Sequence, residues 1–153
     1  MTDAVSRTLQ QYADRGVFRG FQAAAGARGR IEYHFLWLLR RPIHAVFDPR
    51  RGVLTFAALF PGVEPASAMV LALKSIVRSR SMKVQPAHKR LDARRAVVSC
   101  AVRKGDWSLA VRIRGANHEY AVRHALNLIN ELFLSLHDRY PDYLVDRFGL
   151  STE

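Results

Sequence analysis

The 153-residue sequence contains a single cysteine, Cys100, and no uninterrupted apolar run long enough to cross a bilayer, which takes about 20 residues. One cysteine excludes a disulfide within the chain, and its apolar neighbours predict a buried, unreactive thiol. The first residues include Asp3, Arg7, Asp14 and Arg15, where a secretion signal would need an apolar core. The sequence therefore predicts a cytoplasmic protein that does not insert into membranes.

The chain also lacks the residue patterns of the common catalytic and cofactor sites. Its 13 acidic residues are scattered, with no pair placed for general acid–base chemistry. The glycine spacings of nucleophile elbows, phosphate loops and dinucleotide fingerprints do not occur. His118, His124 and His137 fall on or beside one predicted helix, but not at the three- or four-residue spacing of helical metal ligands. We therefore predict a protein that is not an enzyme and holds no cofactor or metal.

Basic residues outnumber acidic residues in the sequence. Lys and Arg number 24 against 13 Asp and Glu, a formal net charge of +11. A field of that sign attracts polyanions such as nucleic acid, anionic lipid or acidic proteins. Twenty of the 24 basic residues are arginine and the chain is rich in alanine, a bias that the codon usage of a GC-rich genome also produces. The sequence leaves both explanations of the charge open.

Apolar residues recur with the periods of helices and strands, which predicts a single α+β domain over residues 1–153. Helices are predicted over 3–14, 64–80, 117–138 and, as a short last helix, 142–148. Sheet blocks are predicted over 31–60 and 83–114, each an antiparallel meander followed by a helix that packs on one face. The order is α-β-β-β-α-β-β(-β)-α, in which the extra strand covers 83–91. Residues 16–29 are left between a loop and a weak edge strand.

Turn and cap residues support these boundaries. Asp48-Pro49-Arg50-Arg51-Gly52 and Lys104-Gly105-Asp106 are typical of tight hairpin connections. Pro65 suits the first turn of the second helix, where its missing N–H is not needed. Asn117 is a residue type preferred at the N-cap of the third helix.

The predicted helix 117–138 has an apolar stripe wider than packing on one sheet face requires. Such a stripe is typical of a second contact, with a neighbouring helix or with another subunit. We therefore expect Leu128, Leu134 and Phe148 to contact a protein partner. The short helix at 142–148 is the alternative cover for the stripe.

Basic residues gather in the second sheet block and are candidates for contact with a polyanion. On a twisted sheet they predict one basic face that meets phosphates. An exposed sheet also needs charge to resist edge-to-edge pairing, so a solvated face is the alternative. The candidate residues are Arg90, Arg94, Arg95, Arg103, Lys104, Arg112 and Arg114.

The predicted order of elements resembles the fold shared by type III secretion chaperones and the YbjN-like family, over about Val17 to Leu150. The ending is also similar, with Asn127-Leu128-Ile129-Asn130-Glu131-Leu132-Phe133 followed by Tyr140, Tyr143-Leu144 and Phe148-Gly149-Leu150.

The resemblance implies a non-enzymatic bacterial protein that binds other proteins, chaperone-like or regulatory, and a possible homodimer. Secretion chaperones are typically acidic whereas this chain is basic, so the expected partner is an acidic protein or is not a protein at all. A nucleic-acid-binding module that uses the arginine-rich sheet is the second hypothesis.

Overall fold

The computed structural model describes residues 3–38 and 41–149, which form one antiparallel sheet with helices against one of its faces. The elements are α1 Ala4–Asp14, β1 Arg19–Ala25, a 3-10 turn Ala27–Gly29, β2 Ile31–Leu36, β3 Ile43–Asp48, β4 Val53–Phe60, α2 Ala68–Ser79, β5 Ala96–Arg103, β6 Asp106–Ile113, α3 His118–Arg139 and α4 Pro141–Phe148. The six strands lie in the order β1-β2-β3-β4-β6-β5. The predicted α+β class is confirmed.

Alternating strand residues build the core on the helix-covered side of the sheet. On β2, Tyr33 and Phe35 are buried, while His34 between them is exposed. Trp107 of β6 is also buried, and its ring centroid lies 5.2 Å from that of Phe60. Burying a large apolar side chain stabilises a fold by about 1.5–3 kcal/mol, so these residues anchor the sheet to the helices.

α3 is the central helix of the core. It contacts β6, α1, α2 and α4. Nine of its side chains are buried: Ala121, Val122, Ala125, Leu126, Leu128, Ile129, Leu132, Phe133 and Leu136. Because three other helices contact α3 in addition to the sheet, most of its wide apolar stripe is covered by other parts of the same chain.

Both predicted hairpins are present. Between β3 and β4, the Asp48 carboxylate accepts hydrogen bonds from the backbone N–H groups of Arg50 and Arg51, at 3.1 and 3.4 Å. Between β5 and β6, Lys104 and Gly105 both have positive φ, as a two-residue type I′ turn requires.

The strand predicted over 83–91 is wrong. Residues 81–95, which we call the α2–β5 segment, form a series of turns instead. The Pro86 carbonyl accepts hydrogen bonds from the N–H groups of Lys89 and Arg90 at 2.9 and 3.0 Å, and Leu91 N–H donates to Arg80 at 2.9 Å. These local bonds use the backbone groups that a strand would offer to a neighbour.

The undecided residues 16–29 contain the edge strand β1 followed by the 3-10 turn. The predicted start of α2 at 64 is also wrong, since Ser67 caps the helix by accepting a hydrogen bond from Val70 N–H at 3.2 Å. Asn117 does precede α3, but its side chain makes no capping bond to the helix. Its amide donates instead to the Arg114 carbonyl at 2.7 Å.

Residues 39 and 40, inside the first predicted sheet block, and Leu150, in the tail that carries the family resemblance, lie outside the described residues. No helix within 3–38 and 41–149 has both the length and the apolar character needed to cross a membrane.

Candidate functional site

The sheet face that points away from the helices, which we call the outer face, is open to solvent at its centre. On β4, Leu54 and Phe56 are fully buried, whereas Thr55 between them is partly exposed. On β6, Leu109 is buried and Ala110 beside it is partly exposed. The outward side chains of β4 and β6 are therefore not covered by a helix.

An uncharged row of small side chains crosses the middle of the outer face. The strand register pairs Val46 with Thr55, Thr55 with Ala110, and Ala110 with Ser99. An antiparallel sheet with one solvated face usually alternates apolar residues inside with polar residues outside. Val46 and Ala110 depart from that alternation, because they present apolar surface on the solvent side.

Charged side chains on the outer face lie on the strands to either side of β4. Glu32 and Asp48 are on β2 and β3, whereas Arg103 and Arg112 are on β5 and β6. The register places Asp48 and Arg112 in one row, on either side of Val53. This face therefore has Glu32 and Asp48 on one half and Arg103 and Arg112 on the other, with an uncharged strip between them. Asp106 also lies on the arginine half, opposite Arg103 in the strand register.

Both carboxylates also have a cationic or imidazole neighbour on their own half. Glu32 Oε1 lies 3.1 Å from Nε2 of His44, and the His44 ring stacks on that of His34 at 4.5 Å between centroids. Asp48 Oδ2 lies 3.5 Å from Nε of Arg30, whose side chain is 42% exposed. The Asp48 side chain is 16% exposed, and its Oδ1 also accepts the hydrogen bonds from the N–H groups of Arg50 and Arg51.

The structure places two of the three predicted protein-contact residues in the core. Leu128 is fully buried, and Phe148 is 7% exposed and packs against Phe133 and Tyr143. Only Leu134 is at the surface, with 62% of its area exposed. The physical reason is the packing of α3 against α1, α2 and α4, which covers the stripe within the chain.

The predicted polyanion-contact residues are divided between the two ends of the β5–β6 hairpin. Arg103 and Lys104 lie at its turn. Arg95 and Arg114 lie at the other end, where Arg114 N–H donates to the Arg95 carbonyl at 3.0 Å. β5 has eight residues, so the two ends are about 24 Å apart at about 3.4 Å per residue. The structure does not bring these residues onto one basic face.

Arg90, Arg94 and Arg95 instead line a groove between the α2–β5 segment and α3, which we call the cationic groove. It consists of two adjoining cavities of about 510 and about 500 Å³ that share His88 and His124. The first is lined by Arg80, His88, Lys89, His124, Asn127, Asn130, Glu131 and Leu134. The second is lined by Ser81, Ala87, His88, Arg90, Leu91, Asp92, Ala93, Arg94, Arg95, Tyr120 and His124.

His124 lines both cavities of the groove, and its pKa is shifted by this environment. The pKa of His124 is lowered below its ordinary value, first because the imidazole is partly buried, and then because Arg80 and Arg95 oppose a further positive charge. Its ring lies 4.2 Å from that of Tyr120, and the Arg95 guanidinium stacks on Tyr120 at 3.6 Å. At neutral pH the imidazole is therefore neutral, with one nitrogen able to donate a hydrogen bond and the other able to accept one.

Sequence reasoning missed the outer face and the groove for different reasons. Thr55 on β4 and Ser108 and Ala110 on β6 gave a readable signal, since these small uncharged residues alternate with core residues. Arg80 and His124 are 44 positions apart in the sequence, and no local pattern links them.

No protein-family model, curated protein or solved structure matches this chain.

Proposed function

We propose that this chain is a non-enzymatic protein-binding module that works through the outer face of its sheet, and that its partner there is a second copy of itself. The observation that carries the proposal is the uncovered, uncharged row from Val46 through Thr55 and Ala110 to Ser99. Protein interfaces combine a centre depleted of charge with a charged and polar rim, which is the arrangement of this face. The resemblance to secretion chaperones supports the same class of function.

The charges on the outer face favour a second copy as the partner. Two copies that meet face to face, about a twofold axis running along β4, place β3 of one copy over β6 of the other. In that arrangement Asp48 faces Arg112 twice, Val46 faces Ala110 twice, and the two Thr55 side chains meet at the axis. The two Asp48–Arg112 pairs across the axis therefore favour this arrangement.

The size of the face indicates how strong this association is. The overlap covers the five strands from β2 to β5, about 24 Å at about 4.8 Å per strand, over a strand length of about 20 Å. That is about 500 Å² per copy and about 1,000 Å² in total, at the lower limit of stable protein interfaces. We therefore expect a reversible dimer with a dissociation constant on the order of micromolar.

Sedimentation velocity between about 1 and about 200 µM protein tests this proposal. The wild-type chain is expected to shift from monomer to dimer across that range. Thr55→Arg is expected to remain monomeric, because two arginines would meet at the twofold axis without a partner. Leu134→Arg is the control, since it introduces the same charge at an exposed position on α3.

Two results would contradict the proposal. One is a wild-type chain that stays monomeric at the highest concentration. The other is dimerisation that survives Thr55→Arg. If, in addition, dimerisation is lost in Leu134→Arg, the interface lies on α3. Circular dichroism of both variants verifies that each one is folded.

A further inference from the structure

The cationic groove lies on the helix side of the sheet and is independent of the outer face. Its lining carries five permanent cations, Arg80, Lys89, Arg90, Arg94 and Arg95, and two carboxylates, Asp92 and Glu131. These five positive and two negative groups leave a formal charge of +3. A concave surface of one sign concentrates ions of the opposite sign.

The wall of the groove on the α2–β5 segment is fixed by hydrogen bonds. The Arg90 guanidinium donates to the carbonyls of Lys83 and Gln85, at 3.3 and 3.1 Å. Asp92 N–H donates to the Tyr120 hydroxyl on α3 at 2.9 Å. The two walls are therefore held at a set separation.

Polar atoms in the groove are buried without a partner among the described residues. Arg80 is only 3% exposed and pairs through Nη1 with Glu131, yet its Nε has no hydrogen-bond partner within 3–38 and 41–149. His124 Nδ1 is buried and lacks a partner in the same part of the chain. A buried donor left unpaired costs about 1–3 kcal/mol, so such atoms mark a place where an external acceptor is favoured.

We propose that the cationic groove binds a phosphate group, carried by a small molecule or free in solution, at the cavity shared by Arg80, Lys89 and His124. A phosphate dianion has enough oxygen acceptors to bond all three groups at once. A carboxylate has two oxygens and one charge, and would leave part of the cation cluster unmatched. Asn127 and Asn130, which line the same cavity, supply amides for neighbouring hydroxyl groups of a phosphorylated molecule.

The dimensions of the groove favour a small ligand over a nucleic-acid strand. Each cavity has a volume of about 500 Å³, which is within the range of small-molecule sites. A strand would need a continuous basic track, but Arg103 and Lys104 lie at the far end of the β5–β6 hairpin. A nucleic acid is therefore an alternative outcome of the test.

Isothermal titration calorimetry with inorganic phosphate, pyrophosphate, adenosine monophosphate and adenosine tests the proposal. We expect the three phosphate compounds to bind and adenosine not to bind. Lys89→Gln is expected to weaken binding about tenfold, because a charge-assisted hydrogen bond is lost. Lys104→Gln makes the same charge change at the β5–β6 turn and is expected to alter affinity by less than about twofold.

The phosphate compounds also identify the source of the phosphate group. A monophosphate that binds tighter than inorganic phosphate indicates a phosphorylated small molecule, whereas equal affinities indicate the free ion. Either result supports the site. The signal of the Arg80 Nε–H group in ¹H–¹⁵N spectra is expected to shift on addition of phosphate, which reads the proposed contact directly.

The proposal is overturned by any of four results. These are no binding of any phosphate compound at about 10 mM, an unmoved Arg80 signal at saturation, equal weakening in Lys89→Gln and Lys104→Gln, or binding of an oligonucleotide while all three small phosphates fail to bind. None of them bears on the outer face, so the two proposals fail separately.

Discussion

Arg80 follows the last residue of α2 and connects three parts of the molecule. Its guanidinium pairs with Glu131 of α3, and its carbonyl accepts a hydrogen bond from Leu91 N–H in the α2–β5 segment at 2.9 Å. Burial lowers the pKa of Arg80, because the charged form has lost much of its contact with water. Removing water from an ion costs several kcal/mol, so the pair is needed mainly to offset that cost.

Glu131→Gln is expected to destabilise the fold by roughly 2 kcal/mol, because the Arg80 charge is left buried without a counter-ion. This value is below the usual range for fully buried pairs, since the Glu131 side chain is 37% exposed. Urea unfolding measures the change. Glu119→Gln is the control, because its partner Arg123 is a surface neighbour one turn away on α3, and we expect about 0.5 kcal/mol or less. Equal losses in the two variants would contradict the offset role of Glu131.

At the scale of elements, the α2–β5 segment depends on side chains for its shape. Arg90 holds the segment by donating to the carbonyls of Lys83 and Gln85, whereas Arg94 is 91% exposed and bonds Asp92, two residues away. Local opening of such a segment requires the loss of few buried contacts. The conformation of the α2–β5 segment therefore depends strongly on Arg90.

Arg90→Gln is expected to increase amide hydrogen exchange within residues 81–92 by about thirtyfold, because two carbonyl bonds are lost, each contributing about 1 kcal/mol. The exchange of β4 and β6 should not change. Arg94→Gln removes the same charge from the same segment and is expected to leave exchange in 81–92 nearly unchanged. Comparable exchange in the two variants would show that Arg90 does not hold the segment.

Elements with a strong hydrophobic periodicity could be predicted from the sequence, and elements or contacts that depend on tertiary packing could not. β2 and β6 alternate large apolar residues with polar ones, and both strands were predicted. β1 contains Gly20 and three consecutive alanines, and all its residues but Phe21 are exposed, so no alternation reveals it. Leu128 belongs to a real apolar stripe, but whether another subunit or α1, α2 and α4 covers that stripe is decided by tertiary packing.

At the scale of the whole molecule, the net charge of +11 opposes the compact state through self-repulsion. Raising sodium chloride from about 20 to about 300 mM is expected to raise the thermal unfolding midpoint by about 2–4 °C, because salt screens this repulsion. The doubly substituted chain Arg103→Glu and Lys104→Glu lowers the charge by two units at each position, from +11 to +7. Its midpoint should respond less to salt, and an equal response would contradict the repulsion argument.

The proposed sites depend on strand order, which local patterns do not encode. Thr55 and Ala110 are neighbours on the outer face only because β6 lies between β4 and β5. The cationic groove likewise exists because the α2–β5 segment lies against α3. Part of that segment, residues 83–91, was wrongly predicted as a strand. Composition predicted a basic protein, but only the fold shows that the basic residues separate into distinct groups.

The position of β6 in the sheet also has a consequence for how the chain folds. The strands β1 to β4 are consecutive neighbours, and β5 and β6 form a local hairpin, so each of these units needs only short loops to form. The pairing of β4 with β6 joins the units and closes a loop that contains α2 and β5, at a larger cost in chain entropy. We therefore expect this junction to assemble late and to set the folding rate, since pairings distant in sequence are slow.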